Sequence, residues 1–406
     1  MRSLPRPTGR TVIVWAIGVV LLLVAIGLGN QDLLWPSVFL LVLPLVALIS
    51  VVIRPPRFTL ERTLDPPTGQ AGQPLSVRVN VTTVRSGPLT AVFAEDVPDP
   101  ALGRGVPFRL DTTEAGATTS AEYVLHPQRR GRFELSGFAY RFADFLGLWV
   151  HTVRGGCVTP VVVHPLHAWL PGRRAHSYGI TGETPIPQTA LSGPDDVMVR
   201  EYQPRDDVRR IHWPSTARTG SLMVRREEAA WDPTAWVLLD SRRAPHPLVG
   251  GLSPTFEALV SAAASLGARM LSDGFSVTLV DADGVHTTIS ADTPDAVDRW
   301  LDLLVDADLT AAPDLLEASA SLAQASGENL VVALLGDLDR SVAEALVSGA
   351  GSRENRVVIA LQNSGETPGA WDAGADILSD HGWQVSRLPG TPEALAAAWG
   401  DAGGAR

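Results

Sequence analysis

The chain has 406 residues, more than one compact core usually organises, so two or three folded units are expected. It contains no lysine, and this excludes a P-loop nucleotide site and Schiff-base chemistry, both of which need a lysine amine. The net charge of -11 argues against nucleic-acid binding, and the single cysteine, Cys157, cannot form an internal disulfide.

Two apolar runs near the start predict a helical hairpin in a membrane. They extend from Thr11 to Leu28 and from Leu33 to Ile53, and each is close to the roughly 20 residues that cross a bilayer. A signal peptide is the competing interpretation of the first run, but no small-residue cleavage site separates the two. Arginines flank both runs, whereas the loop between them carries only Asp32. Residues 1–57 are therefore predicted to anchor the chain in the cell membrane with both termini in the cytoplasm.

Residues 58–170 are predicted to form a β-sandwich-like module, because short β-branched runs alternate there with turns. Arg130 and Gly131 stand where a hairpin turn is expected. The module could serve as a spacer or as an interaction platform, and the sequence favours neither. The predicted strands are Leu75 to Thr83, Leu89 to Asp96, Thr119 to Pro127, Gly131 to Phe142 and Cys157 to Pro165.

A stretch rich in Pro, Gly, Ser and Thr over residues 171–196 predicts an irregular linker. The following run, REYQPRDDVRRIHWPSTARTGSLMV, is dense in charge. Asp206 or Asp207 is expected to cap a short helix there. Ile211 and Trp213 are expected to bury against a sheet, and Leu222 and Val224 are expected to begin a strand that pairs with the strand at Thr234.

The charged side chains of this run allow two interpretations. In the first, they pair with one another through arginine–carboxylate forks and fix the junction between the soluble units. In the second, part of the cluster faces outward and binds a protein, with Trp213 and an arginine as anchors. A nucleic-acid role is disfavoured because the acids cancel the positive field. The charged residues in question are Arg200, Glu201, Asp206, Asp207, Arg209 and Arg218.

The remainder of residues 197–406 alternates strands and helices, which predicts a parallel sheet covered on both faces. The predicted strands are Thr234 to Asp240, Phe275 to Asp281, Asn329 to Asp337, Arg356 to Leu361 and Gln384 to Leu388. The predicted helices are Thr255 to Gly274, Ala296 to Val305, Arg340 to Gly349 and Pro392 to Gly400.

This order of elements resembles a von Willebrand factor type A-like domain, a Rossmann-type fold. Members of that family that bind a divalent cation carry Asp-x-Ser-x-Ser after the first strand, because its oxygens hold magnesium. Here Asp240 and Ser241 are followed by Arg242, and Ala244 takes the second serine position. An arginine there places a fixed cation where the metal would sit, so no metal and no cofactor are expected.

The charged run is also similar to the signature of the bacterial domain-of-unknown-function fifty-eight family. Arg205 replaces the usual glycine, and Pro214 follows the tryptophan. The likeness extends to the Arg-Arg-Gly element at Arg130 and to the element from Asp144 to Leu148. The matching signature residues are Arg200, Glu201, Tyr202, Asp206, Asp207, Arg209, Ile211, Trp213, Ala217, Arg218 and Leu222.

The resemblance implies a non-catalytic accessory or adaptor protein in the membrane. Family members are commonly encoded beside a MoxR-type AAA+ ATPase and often a transglutaminase-like membrane protein, so these and the lipid bilayer are the expected partners. A purely structural envelope protein is one alternative.

A hydrolase of unknown substrate is the other alternative. Ser215, His212 and Asp207 can be drawn as a triad, and Cys157 can be drawn with His164 as a thiol pair. Neither has a nucleophile motif, so no enzyme activity is expected. His164 and His167 form an HxxH on a strand end, where their side chains are expected to diverge rather than bind zinc.

Overall fold

The computed structural model describes residues 4–53, 55–85, 92–97, 99, 101–110, 114–155, 157–170, 199–202, 211, 213–225, 234–325, 329–351, 356–361 and 369–387. The chain divides into two compact units. The first contains Met1–His167 with Leu301–Ala307, and the second contains Ala168–Trp300 with Asp308–Arg406. The predicted linker at residues 171–196 and the predicted helix at Pro392 lie outside the described residues.

The first unit begins with two antiparallel apolar helices, α1 (Gly9–Leu28) and α2 (Gln31–Ile53). Both are long and apolar enough to cross a membrane, by length and composition. They approach closely at Gly18, where a Cβ would lie 3.1 Å from Leu41 Cδ2. The predicted helical hairpin is therefore present.

The rest of the first unit is all β. Its strands are β1 (Arg6–Pro7), β2 (Arg57–Asp65), β3 (Gly69–Gln70), β4 (Leu75–Arg85), β5 (Val92–Val97), β6 (Val106–Leu110), β7 (Thr118–Leu125), β8 (Gly131–Leu135), β9 (Gly137–Ala143), β10 (Trp149–Arg154) and β11 (Thr159–His164). They form sheets of order β1-β10-β9-β5-β6, β2-β4-β7 and β3-β11-β8. Alternate residues of β4, such as Leu75 and Val77, point into one shared core that also takes Phe133 and Phe142.

Two details of the strand prediction were wrong. The run from Gly131 to Phe142 is two strands, because β8 pairs with β11 whereas β9 pairs with β5 and β10. The expected hairpin at Arg130 and Gly131 does not form, since β7 pairs with β4 and not with β8. A hydrophobic pattern identifies a strand but not its neighbour, which is chosen by contacts distant in sequence.

The helical hairpin packs against the edge of the five-stranded sheet. Ala47 and Val51 of α2 are buried in the β core. The indole of Trp149 donates to the carbonyl of Pro44 over 2.7 Å and meets Trp15 edge to face with ring centroids 6.1 Å apart. The hairpin and the β module therefore share one core.

The second unit is built on a six-stranded sheet. Its strands are β14 (Thr234–Leu239), β15 (Ser276–Val280), β16 (His286–Ile289), β17 (Leu330–Leu335), β18 (Arg356–Ala360) and β19 (Gln384–Arg387), and its helices are α4 (Pro254–Ser272), α6 (Leu316–Leu322), α7 (Arg340–Ala350) and α8 (Ala370–Asp380). Helix α5 (Ala296–Val305) is divided between the units after Trp300. The unit also contains β12 (Val199–Glu201), α3 (Trp213–Thr219) and β13 (Met223–Arg225).

The sheet has the order β16-β15-β14-β17-β18-β19 and is parallel except at its edge, where β16 runs antiparallel to β15. Trp236 and Leu238 of β14 join the core beneath α6, α7 and α8. Helix α4 packs against β14, β15 and β17. Both faces of the central strands are thus buried, which explains why they read as continuous apolar runs.

Candidate functional site

The candidate site lies at the carboxyl ends of β14 and β17, where the order of strands reverses. After β14 the chain returns on one side to form β15, and after β17 it continues on the other side to form β18. Ligands of open α/β sheets bind in the crevice at such a point. Asp240 follows β14 directly, and Asp337 follows β17 after Gly336, so two carboxylates converge there.

Arg242 connects these two carboxylates. Its Nε and Nη2 donate to Asp240 Oδ1 and Oδ2 over 2.9 and 2.8 Å, and Nη2 also donates to Asp337 Oδ1 over 2.6 Å. Asp240 is fully buried, and the Arg242 side chain is 8% exposed. A planar guanidinium held by both oxygens of a carboxylate is among the strongest pairings in proteins. We call Asp240, Arg242 and Asp337 the buried charge cluster.

Backbone groups complete the shell of Asp240. Its Oδ1 accepts from the amide of Arg242 over 3.2 Å, and its Oδ2 accepts from the amide of Gly336 over 3.0 Å. Each oxygen of the buried carboxylate therefore has one side-chain and one backbone donor.

The pKa shifts in the buried charge cluster have opposing causes. Burial acts to lower the pKa of the Arg242 guanidinium, but its hydrogen bond and attraction to Asp240, with a further contribution from Asp337, raise it above its ordinary value. Burial raises the pKa of the Asp337 carboxyl, and attraction by Arg242 offsets part of that rise. Because the shared arginine stays charged, it is a permanent counterion for both acids.

His246 contacts the backbone of Asp240 in the buried charge cluster. Its Nε2 lies 3.0 Å from the carbonyl oxygen of Asp240, and its Nδ1 lies 2.9 Å from Thr255 Oγ1. Burial lowers the pKa of this imidazole, while attraction by Asp240 acts in the opposite direction. The neutral tautomer that donates from Nε2 and accepts at Nδ1 satisfies both contacts. Gly336 is required beside the ring, since a Cβ there would lie 2.5 Å from His246 Cε1.

Ser241 holds the turn instead of facing the crevice. Its Oγ accepts from the amide of Ala282 over 3.0 Å and lies 3.5 Å from Thr310 Oγ1. Its carbonyl oxygen accepts from the amide of Thr310 over 2.7 Å. The serine thereby ties the end of β14 to two neighbouring loops.

A cleft of about 420 Å³ opens beside Arg242, toward the first turns of α6 and α7. Its charged lining consists of that arginine and three carboxylates, Asp314, Asp339 and Glu344. Asp339 also caps α7, because its Oδ1 accepts from the amide of Val342 over 2.8 Å. Glu344 is itself paired with Arg340, whose Nη1 lies 3.7 Å from its Oε1. Since Arg242 is already neutralised by Asp240 and Asp337, Asp314 and Asp339 give the cleft an acidic excess that favours a cationic group.

The structure separates the signature residues from this cluster. In β12, Arg200 and Glu201 pair with Val224 and Met223 of β13 in an antiparallel ladder. The expected pairing of Leu222 and Val224 with the strand at Thr234 was wrong, because β14 pairs with β15 and β17 instead. The short strands β12 and β13 pair with each other instead.

The expected burial of the signature's apolar residues was also wrong. Trp213 is 66% exposed, and Ile211 is half-buried and bridges to Val224. Trp213 begins the short helix α3, so Pro214 lies in its first turn, where a missing amide hydrogen costs nothing. Arg218, in the last turn of α3, is exposed, and Tyr202 donates its amide to Leu222 over 2.8 Å.

The expected caps Asp206 and Asp207, together with Arg209 and His212, lie outside the described residues. The mutual neutralisation of the signature charges and the Ser215, His212 and Asp207 triad therefore stay predictions. The described part of the run is a two-stranded ladder with one exposed helix.

The remaining histidine and cysteine candidates have separate partners. His164 Nε2 lies 3.1 Å from Asp302 Oδ1, whereas His167 Nδ1 lies 3.2 Å from Gln70 Nε2. The two imidazoles therefore contact different side chains. Cys157 is exposed. Within the described ranges, no group of three or more His, Cys, Asp or Glu is placed to hold a metal ion.

Sequence reasoning identified Asp240, Ser241 and Arg242 but missed Asp337, Asp339 and His246. A signal was present for Asp337, because the runs TAWVLLD and LVVALLGD both end a buried strand with an aspartate. Since carboxyl ends of neighbouring parallel strands meet at one edge, the two acids were candidates for a shared site. His246 had no comparable signal.

Comparison with known proteins gives a family match for part of the chain. Residues 198–368 match the model of the family "Protein of unknown function DUF58". This confirms the resemblance of the charged run over that part of the chain. "Uncharacterized protein YeaD" of Bacillus subtilis (strain 168) is 26% identical over 225 residues, which cover 53% of this chain and 54% of that protein. The match therefore spans about half the length of the relative.

Solved structures give only weak likenesses. The CARDB domain of a Pyrococcus furiosus protein, in complex with di-metal ions, is 11% identical with a TM-score of 0.19, and the match covers 27% of this chain and 93% of that domain. A beta-glucosidase from Listeria innocua is 16% identical with a TM-score of 0.15, over 27% of this chain and 16% of that enzyme. At these scores neither match bears on the fold or function.

Proposed function

We propose that this chain is a membrane-anchored, non-catalytic accessory protein whose second unit is a von Willebrand factor type A-like domain that binds a cationic segment of a protein partner. The hairpin would hold it in the cell membrane with both termini and both soluble units in the cytoplasm. The arginine flanks of the two helices support this orientation.

The topology and the site support the domain assignment. Counted from β14, the strands lie in the order third, second, first, fourth, fifth, sixth, with an antiparallel third strand at the edge. Asp240, Thr310 and Asp337 come from three loops that meet at the carboxyl edge. In metal-binding members of the proposed class a cation would draw such oxygens together, and here the Arg242 guanidinium bridges the two carboxylates.

One observation carries the proposal: Arg242 is fully engaged by two carboxylates beside a cleft that has three more. An ion pair this complete is a poor proton donor or acceptor, so the site is suited to recognition and not to proton transfer. The acidic excess then selects a partner that presents arginine or lysine. A MoxR-type AAA+ ATPase is the proposed partner, with a transglutaminase-like membrane protein as a second one, on the strength of the family resemblance.

Affinity purification of the full-length chain from detergent tests this. The Asp339→Asn/Glu344→Gln double variant removes two cleft charges, and Asp376→Asn on the exposed face of α8 removes one charge elsewhere. We expect the double variant to lose the ATPase, scored by mass spectrometry, and the Asp376→Asn control to retain it. Equal recovery by the wild type and both variants would contradict the cleft as the binding site.

A further inference from the structure

The turn between β9 and β10, residues Asp144 to Leu148, is a candidate contact surface in addition to the cleft beside Arg242. It carries Phe145, which is 53% exposed, followed by the partly buried Leu146. Gly147 adopts a φ of 66°, which glycine tolerates, and Asp144 Oδ1 accepts from the amide of Leu148 over 2.6 Å. The turn is therefore a fixed structure that holds an aromatic side chain outward.

This turn is bound to the start of the first apolar helix. Thr8 donates its amide to the carbonyl of Leu148 and its hydroxyl to the carbonyl of Gly147, each over 2.8 Å. The hydroxyl of Thr11 donates to the carbonyl of Leu148 as well. Helix α1 thus begins against the turn, and two of the turn's carbonyl groups are satisfied by threonines.

The helix lengths then limit where the membrane surface lies. At 1.5 Å per residue, α1 and α2 are about 30 and 34 Å long, close to the roughly 30 Å thickness of the hydrocarbon core. The β module contacts α2 from Pro44 to Val51, so Trp149 touches it about 14 Å before its end at Ile53. If that part lay wholly in water, only about 20 Å would remain for the bilayer, which is too short.

The opposite side of the same helix ends is exposed and apolar. Val12 and Ile13 of α1 are 60% and 59% exposed, and Ile49 and Ile53 of α2 are 54% and 67% exposed. Leaving these side chains in water is unfavourable, since contiguous apolar surface marks a contact with lipid or protein. The helix ends that carry the β module on one side are therefore suited to lipid on the other.

From these constraints we infer that the Asp144–Leu148 turn enters the boundary between headgroups and acyl chains, with Phe145 as its lipid-facing anchor. The inference rests on the membrane anchoring in the proposed function. A Cβ on Gly147 would lie 3.2 Å from Arg10 Nη1, so a guanidinium lies against the turn. Aromatic and leucine side chains beneath a basic group are the usual composition of an interfacial contact.

Three of the five carbonyl groups of the turn have described hydrogen-bond donors. Among its described hydrogen bonds, the carbonyls of Asp144, Gly147 and Leu148 all have donors, from Gly147 N, Thr8 and Thr11. Satisfied backbone groups are a condition for contact with hydrocarbon, where water is not available to replace a missing partner.

A depth measurement on the full-length chain tests the inference. The single native cysteine, Cys157, is exposed and follows the far end of β10, about 17 Å along the strand from Trp149. Replacing it with serine gives a background in which Phe145→Cys or Val20→Cys carries one environment-sensitive fluorophore. Labelled wild-type Cys157 is the control, and all three proteins are reconstituted into phosphatidylcholine–phosphatidylglycerol vesicles.

We expect the label at position 145 to be blue-shifted, quenched by lipids brominated near the headgroup and protected from aqueous iodide. The label at position 20 should be quenched by lipids brominated deeper in the chain, and the label at position 157 by iodide alone. Quenching of the position 20 label without any lipid quenching at position 145 would overturn the inference and leave the anchor intact. Iodide quenching of all three labels would overturn the membrane anchoring, and the inference with it.

Discussion

The signature run and the buried charge cluster are two regions of arginine and carboxylate residues that differ in how far apart their charges lie in sequence. The signature run concentrates its charges within about two dozen residues, yet Trp213 and Arg218 are exposed on a short helix. The buried charge cluster has only three charged groups, and Arg242 reaches Asp337 across 95 positions of sequence. Among the described residues, the buried charge thus comes from groups that are distant in sequence, and charge density along the chain does not identify them.

Burial is decided by which strand ends the sheet brings together. Asp240 and Asp337 are adjacent because β14 and β17 are neighbours in the sheet, and Arg242 is adjacent to both because the turn after β14 folds back. Charges desolvated in this way have large energetic consequences, while exposed pairs contribute little. Substitutions in the two regions should differ accordingly.

The largest expected effect is from Arg242→Ala. Removing the guanidinium leaves the buried Asp240 carboxylate and Asp337 without their counterion, which should destabilise the second unit by about 3–5 kcal/mol. Hydrogen–deuterium exchange of peptides from β14 and β17 measures the change. Arg218→Ala is the matched control, because this arginine is exposed and its loss should cost less than about 0.5 kcal/mol. Similar exchange in the two variants would mean that the cluster is not a stabilising ion pair.

The next effect is a gain of metal binding by Arg242→Ser/Ala244→Ser. The double substitution restores Asp-x-Ser-x-Ser and frees the oxygens of Asp240 and Asp337 for a hard cation. Magnesium at 100 times its dissociation constant should then stabilise the variant by about 2.7 kcal/mol. Isothermal titration gives the stoichiometry, and adding Asp240→Asn should abolish the signal. A double variant that folds but takes no magnesium would argue against the proposed domain class.

A smaller effect is the acid sensitivity contributed by His246. Because burial lowers the pKa of this imidazole in the fold, the folded state favours its neutral form. Its stabilising contribution is present above the unfolded pKa of about 6.5 and is lost as pH falls through the lower folded pKa. Exchange of the β14 peptide should therefore rise between neutral and acidic pH more steeply in the wild type than in His246→Gln. If exchange of the β14 peptide depended on pH equally in the wild type and in His246→Gln, a group other than His246 would cause the acid sensitivity.

The sequence predicted the bounds of helices and strands better than it predicted which strands pair with one another. Helix α5 has the predicted bounds, Ala296–Val305, because its amphipathic period is clear. The edge strand β16 and helix α8 were missed, since HTTI is short and polar and AWDAGADILSD mixes glycine with three aspartates.

The candidate site was half predictable for a related reason. Asp240 and Arg242 are two residues apart, so their pairing is local, and the sequence had placed the arginine's charge at the position of the metal. Asp337 and Asp339 lie near them because β14 and β17 are neighbours in the sheet, and His246 lies near them because the loop after β14 folds back. Neither the order of strands nor the path of a loop can be predicted from a short window of sequence. Trp213 was expected to bury against a sheet and is exposed, as the alternative of an outward-facing tryptophan anchor requires.

The smallest expected effect is that of Trp213→Ala on stability, and it completes the comparison of the two regions. With 66% of its surface exposed, Trp213 loses little burial on truncation, so the free energy of unfolding should change by less than about 0.5 kcal/mol. His246→Ala provides the contrast, because it removes a buried ring that contacts Thr255 and the Asp240 carbonyl. If Trp213→Ala instead destabilised the chain as much as His246→Ala, the tryptophan would have to pack in solution against residues beyond the described ones. The signature run would then be a structural junction, as the first interpretation of its charges holds, and not an exposed surface.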